Sequence, residues 1–135
     1  MKVITKSPEE TVAFAKELAS RIKPGTLILL SGELGAGKTR FVKGLAEGLG
    51  IKEDVSSPTF VIVNEYSNGV KLFHVDLYRL DGFPYEVLEL DEMLDEGIVA
   101  VEWWEKDKRF FESYKDRVEV RIRVLGESER EIEVR

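Results

Sequence analysis

The sequence predicts an α/β fold in three layers, with helices on both faces of one mixed parallel and antiparallel central sheet. Two observations carry that prediction. The apolar run Leu27-Ile28-Leu29-Leu30 reads as a buried strand and leads straight into the glycine-rich stretch Gly32–Thr39, GELGAGKT; behind it Phe41, Val42, Leu45 and Leu49 fall on one helical face. Farther on, the strand-like runs 58–66 and 70–76 flank Asn68-Gly69, a tight-turn signal that makes part of the sheet antiparallel. At 135 residues the chain is expected to form one domain, 1–135, with room for a core but not for a separate substrate domain.

The elements follow in order. Residues 1–5 read as a short edge strand. Ser7 as N-cap, Pro8 at the first helical position and Glu10 closing a capping box start a helix. Its stripe Val12, Ala15, Leu18, Ala19, Ile22 ends near Lys23, before Pro24-Gly25. A strand over 26–31, the glycine-rich loop and a helix over 38–49 come next, with Gly50 as the residue that ends the helix. The connection 51–57 is polar. After the hairpin, 77–96 reads as loop with one or two short helices, 97–104 as a buried strand, and 105–115 as a short helix or irregular link. Segments 117–125 and 129–135, joined by Gly126-Glu127-Ser128, predict a C-terminal hairpin.

Composition removes several classes of function. With no cysteine there is neither a disulfide nor a thiolate metal site, and one histidine cannot build a multi-histidine site. A hydrophobic content of 43% beside 34% charged residues is ordinary for a globular protein, and the net charge of −6 argues against a chain that grips RNA or DNA unaided. No apolar span of about 18 residues is present, and acidic residues appear by position 9, so neither a membrane helix nor a signal peptide is expected. The expected location is the cytoplasm.

Gly32–Thr39 fits G-x-x-x-x-G-K-T between a strand and a helix, the context of a phosphate-binding loop. Its glycines let backbone N–H groups converge on an anion, and the helix N-terminus adds positive potential. Lys38 is placed to reach the β- and γ-phosphates of a nucleoside triphosphate, and the Thr39 hydroxyl to ligate Mg²⁺. A second Mg²⁺ contact is usually an acidic residue ending an apolar strand. Two residues compete for it: Asp76, after Leu72-Phe73-His74-Val75, and Glu102, after Ile98-Val99-Ala100-Val101. Arg79 is the obvious salt-bridge partner for Asp76. Ser56-Ser57-Pro58-Thr59 sits where a γ-phosphate-sensing segment often lies. The Thr11 hydroxyl is a further candidate to face the nucleotide. His74 reads as a packed histidine rather than a catalytic base. Adjacent Trp103 and Trp104 cannot share one strand face, so one packs in the core and the other is free for a ligand or partner.

GELGAGKT, then Val55-Ser56-Ser57-Pro58-Thr59-Phe60, then His74-Val75-Asp76-Leu77-Tyr78-Arg79, then Val101-Glu102-Trp103, in that order and spacing, resemble the bacterial TsaE (YjeE) family. The resemblance spans nearly the whole chain and fades over the last thirty or so residues. It implies a small P-loop ATPase subunit for threonylcarbamoyladenosine modification of tRNA, at the adenosine beside the anticodon in ANN-reading tRNAs. It also implies work with TsaD and TsaB, with tRNA met only through the complex. ATP and Mg²⁺ are the implied cofactors. Carried onto this chain, the backbone of Glu33, Leu34, Gly35, Ala36, Gly37, Lys38 and Thr39 holds phosphates. Thr39 and Glu102 hold Mg²⁺, and Asp76 serves as a metal-side or water-positioning carboxylate. Ser57 and Thr59 form a switch segment, and Trp103 lies close to the site. The chain departs from the family pattern at Glu33, usually Asp, at Arg40, commonly Thr, and at Trp104, often Pro or a small residue.

The alternative is a small-molecule or nucleotide kinase, which shares the loop and Mg²⁺ chemistry. A kinase needs an acceptor pocket and a basic lid, and no Arg-rich lid is apparent. A guanine-reading Asn-Lys-x-Asp segment is absent. A chain this small is expected to hydrolyse ATP slowly alone, with an accelerating arginine supplied by a partner.

Overall fold

The computed structural model describes residues 1–53, 55, 63–78 and 89–135. Strand β1 (Lys2–Thr5) leads into helix α1 (Pro8–Ala19). The helix starts as its sequence requires. Ser7 Oγ accepts the Glu10 amide at 3.1 Å, Pro8 opens the helix, and Glu10 Oε1 accepts from the Lys6 N–H at 2.9 Å. It ends at Ala19, short of the apolar stripe, because the chain tightens into three-residue bonds: Arg21 N–H to Leu18 O at 2.9 Å and Ile22 N–H to Ala19 O at 3.2 Å. Strand β2 (Leu27–Ser31) and helix α2 (Lys38–Gly48) bracket the glycine-rich loop, and Gly50, φ +78°, turns the chain away.

Strand β3 (Val63–Asn68) and strand β4 (Val70–Asp76) pair antiparallel around Gly69, φ +78°, the hairpin that Asn68-Gly69 predicts. Residues 58–62 of the predicted strand lie outside the described residues. Helix α3 (Leu90–Glu96) and strand β5 (Gly97–Glu102) follow. The strand predicted over 97–104 stops two residues early. Trp103 takes a left-handed backbone, φ +64°, and Trp104 begins a 3₁₀ turn, Trp104–Asp107, that runs into helix α4 (Lys108–Glu112). The apolar run continues past the strand end because Trp104 turns back into the core, where its Nε1–H donates to Ser31 Oγ at 2.9 Å. Strand β6 (Arg117–Val124) and strand β7 (Arg130–Val134) form the predicted C-terminal hairpin.

Among the described residues the sheet has seven strands in the order β1-β7-β6-β2-β5-β4-β3. β6, β2, β5 and β4 are parallel; at one end β7 pairs antiparallel with β6 and β1 antiparallel with β7, and at the other β3 pairs antiparallel with β4. The mixed sheet is therefore as predicted, with its parallel block at the centre. β2 is buried from Leu27 to Leu30 and feeds two cores. Ile28 and Leu30 pack with Phe41, Val42 and Leu45 of α2 and Ala15 of α1, while Leu27 and Leu29 pack with Met93 of α3 and Phe111 of α4. Parallel strands covered on both faces read as continuous apolar runs, which is what Leu27–Leu30 and Ile98–Val101 are. Among the described residues, no helix is long and apolar enough to cross a membrane.

Candidate active site

The loop between β2 and α2 is shaped for an anion. Gly37 caps α2 with φ +110°, a conformation that a side chain would strain, and a Cβ there would meet no atom within 4 Å. Among the described residues no side chain caps the N-terminus of α2 and no acidic residue lies in its first turn, so its amide dipoles face the cleft. Gly32 is required for another reason: a Cβ there would lie 2.8 Å from the Ile122 carbonyl oxygen. The loop leaves the sheet pressed against β6.

Leu34, Gly35, Gly37, Lys38, Thr39 and Arg40 line one side of a cleft of about 300 Å³, with Asp76, Tyr78, Glu102 and Trp103 opposite. Lys38 is buried. Its ammonium donates to the Gly32 carbonyl at 2.7 Å and lies 3.6 Å from the Trp103 ring centroid. Burial pulls its pKa down, opposed by the negative charges of Glu102, Glu105 and Asp76. Trp103 in turn stacks on Tyr78, with ring centroids 4.9 Å apart. The left-handed turn at Trp103 sets this ring over Lys38.

Opposite the helix N-terminus, the Leu77 amide donates to the Glu102 carbonyl at 3.1 Å, locking the ends of β4 and β5 together, and Asp76 and Glu102 are direct register partners. The Thr39 hydroxyl donates to Glu102 Oε2 at 3.3 Å. Glu102 is buried, and the same oxygen lies 2.5 Å from Nε2 of the fully buried His74. Asp76 is half-buried and its Oδ1 accepts the Tyr78 amide at 2.9 Å. Burial and repulsion from Glu102 push its carboxyl above the usual range, against the opposing pull of the Tyr78 amide and Lys38. Among the described residues, no three His, Cys, Asp or Glu side chains form a metal cage. Thr39, Glu102 and Asp76 offer hard oxygen donors on one side only. That suits Mg²⁺, which keeps waters and shares its shell with phosphate oxygens.

A family model described as threonylcarbamoyl adenosine biosynthesis protein TsaE matches residues 5–132. The chain belongs to the TsaE family. It is 46% identical over 134 residues to the Bacillus subtilis tRNA threonylcarbamoyladenosine biosynthesis protein TsaE, covering 98% of this chain and 83% of that one. It is 43% identical to the Aquifex aeolicus protein of the same name, covering 98% and 94% of the two chains. The Treponema pallidum TsaE is 34% identical, with 99% of both chains covered. Among solved structures, the crystal structure of Bacillus subtilis YdiB superposes with a TM-score of 0.78 at 41% identity, covering 98% of this chain and 82% of that one. A P-loop α/β fold with a mixed sheet is thus the TsaE architecture.

The TsaE fold brings Lys38, Thr39, Asp76, Glu102 and Trp103 to one cleft. Thr11 lines a separate, smaller recess beside the loop, shared with Gly35, Ala36, Gly37 and Arg130. It is buried, and its hydroxyl pairs with Thr5 Oγ1 at 2.7 Å. Ser57, Thr59 and Arg79 lie outside the described residues. Two contacts escape the sequence reading. Arg130 Nε–H donates to the Ala36 carbonyl at 2.9 Å, bracing the loop from the C-terminal hairpin across 94 residues. Nothing local marks this arginine among Glu129, Arg130 and Glu131. His74 touches Glu102, and here a signal was present: two-residue spacing sets His74 and Asp76 on one strand face.

Proposed function

We propose that this TsaE-family chain is a Mg²⁺-dependent ATPase subunit of the system that installs threonylcarbamoyladenosine in tRNA, working in the cytoplasm with TsaD and TsaB proteins. One observation carries the reading. An uncapped helix N-terminus, a buried lysine and a hydroxyl–carboxylate pair, Thr39 and Glu102 at 3.3 Å, meet in a single cleft. These groups match the needs of phosphoryl transfer: amides and a cation for phosphate oxygens, and oxygen donors for a metal. Loop amides and the α2 N-terminus hold phosphates, and Lys38 exchanges the Gly32 carbonyl and Trp103 ring for phosphate oxygen. Mg²⁺, when bound, neutralises charge on the phosphates. Glu102 and Thr39 would hold it. Asp76, at the cleft with its carboxyl pushed above the usual range, orients the attacking water and draws on its proton. The net charge of −6 fits a subunit whose tRNA is held by others.

The two carboxylates are separable by experiment. Glu102→Ala is expected to raise the Mg²⁺ concentration for half-maximal ATP turnover at least about tenfold. Asp76→Ala is expected to lower kcat about 100-fold or more with little change in that concentration. Lys38→Ala is expected to lower turnover by roughly 100- to 1000-fold. Equal Mg²⁺ dependence in the two carboxylate variants would overturn the assignment of roles.

A further inference from the structure

We infer that His74 is the positioning residue for the metal-side carboxylate: its Nε2–H holds Glu102 Oε2, fixing the carboxylate beside Thr39. The inference rests on the Mg²⁺–nucleotide reading above.

His74, Asp76 and Glu102 project from one face of the sheet, as the alternation along β4 and β5 dictates. His74 is 0% exposed and its Nε2 lies 2.5 Å from Glu102 Oε2, while Nδ1 is buried with no hydrogen-bond partner among the described residues. That asymmetry selects the tautomer. With the hydrogen on Nε2, the ring donates to the carboxylate and the unmatched atom is only a lone pair. With it on Nδ1, an N–H would be orphaned in the core, the costlier arrangement. Leu72, on the same strand face, is buried as fully as His74, so an aliphatic side chain would suit this position without an orphaned nitrogen. Among the described residues the polar ring has one hydrogen-bond partner to account for it, Glu102.

The consequence for the cleft is geometric. The Thr39 contact to Glu102 is long, at 3.3 Å, and the Thr39 oxygen must turn to serve a cation. The histidine contact is shorter, comes from β4, a strand paired on both sides, and survives that turn. A carboxylate held at one oxygen by a buried donor presents the other in a fixed direction, the role outer-shell donors play around metal ligands. His74 itself has no route to solvent, so it acts through Glu102 and not on the reacting atoms.

His74 is the single histidine of the chain, so its imidazole gives one set of signals. A long-range ¹H–¹⁵N spectrum of the wild-type chain should show the Nε2–H tautomer. Mn²⁺ added to the ADP complex should broaden these signals, whereas ADP alone should not. Titration of Mn²⁺ into the ADP-bound variants then separates positioning from packing. His74→Leu, with no donor, should weaken Mn²⁺ binding about 10- to 100-fold while leaving ADP affinity in EDTA within about twofold. His74→Gln, whose amide can donate from the same depth, should recover most of the loss. An Nδ1–H tautomer, wild-type Mn²⁺ affinity in His74→Leu, or equal loss in both variants would overturn the inference; should His74→Leu not fold, the wild-type spectrum still decides. Wild-type chain that binds ADP with no metal dependence would instead overturn the Mg²⁺ reading, and this inference with it.

Discussion

Asp76 and Glu102 stand side by side at the ends of β4 and β5, yet the fold equips them differently. Among the described residues Glu102 has two side-chain partners, Thr39 and His74, while Asp76 has the Tyr78 amide and a half-open position in the cleft. The Asp76 charge is therefore a burden on the folded state. Its carboxyl is pushed up by burial and by Glu102, so the folded chain holds its proton more tightly than the unfolded chain does. The destabilisation is fully present above the folded pKa and disappears as pH falls through it. Asp76→Asn keeps an oxygen for the Tyr78 amide and removes the charge. It should melt at a higher temperature than wild type at about pH 7.5, with the gap closing by about pH 4, while ATP turnover falls about 100-fold or more. Thermal melts at the two pH values check the first half and a steady-state assay the second. A gap that widened on acidification would contradict the environment assigned to Asp76.

At the scale of elements, the decisive contact is between α1 and α2. Gly44 and Gly48 of α2 lie directly against the α1 backbone. A Cβ at Gly48 would sit 2.5 Å from the Lys16 carbonyl oxygen and 2.6 Å from Ala19 Cβ. The close approach ties the phosphate-loop helix to the rest of its layer. Alanine in a helix interior ordinarily gains about 1 kcal/mol over glycine. Here the clash is with backbone, and overpacking of about 1–3 kcal/mol is expected to prevail. Gly48→Ala should therefore lower Tm by several degrees, roughly 3 °C per kcal/mol for a chain of this size. A rise in Tm would show that the helices separate freely. The other junction that matters is the end of β5. There the Trp104 bond to Ser31 and the left-handed Trp103 turn the chain so that one tryptophan anchors the core and the other covers Lys38.

Over the whole molecule, what could be read in advance was what short-range pattern controls. GELGAGKT announces strand, loop and helix because each glycine and the lysine act within eight residues. Asn68-Gly69 announces a hairpin for the same reason, and Asp76 and Glu102 stand out as carboxylates closing apolar runs. Contacts made only by the tertiary fold were not visible. The strand end at Glu102 was hidden because Trp103 and Trp104 prolong the apolar run, and the contacts that hold Trp104 inward, among them Ser31 of another strand, are made only in the fold. Arg130 was hidden because its target, the Ala36 carbonyl, is reached only once the C-terminal hairpin is laid beside the loop. The order of strands likewise depends on which apolar faces meet, so pattern gave a mixed sheet without its arrangement. The net charge of −6 and the small cleft both fit the role proposed above, a nucleotide-handling subunit that serves a larger assembly.

The most direct test is the rate of ATP hydrolysis by the purified chain with Mg²⁺, alone and after adding TsaD and TsaB proteins, with Lys38→Ala as control. Slow turnover alone, at least about tenfold acceleration by the added proteins, and loss of both in Lys38→Ala are the expected result. Unchanged turnover on addition of the two proteins, or full activity in Lys38→Ala, would contradict it.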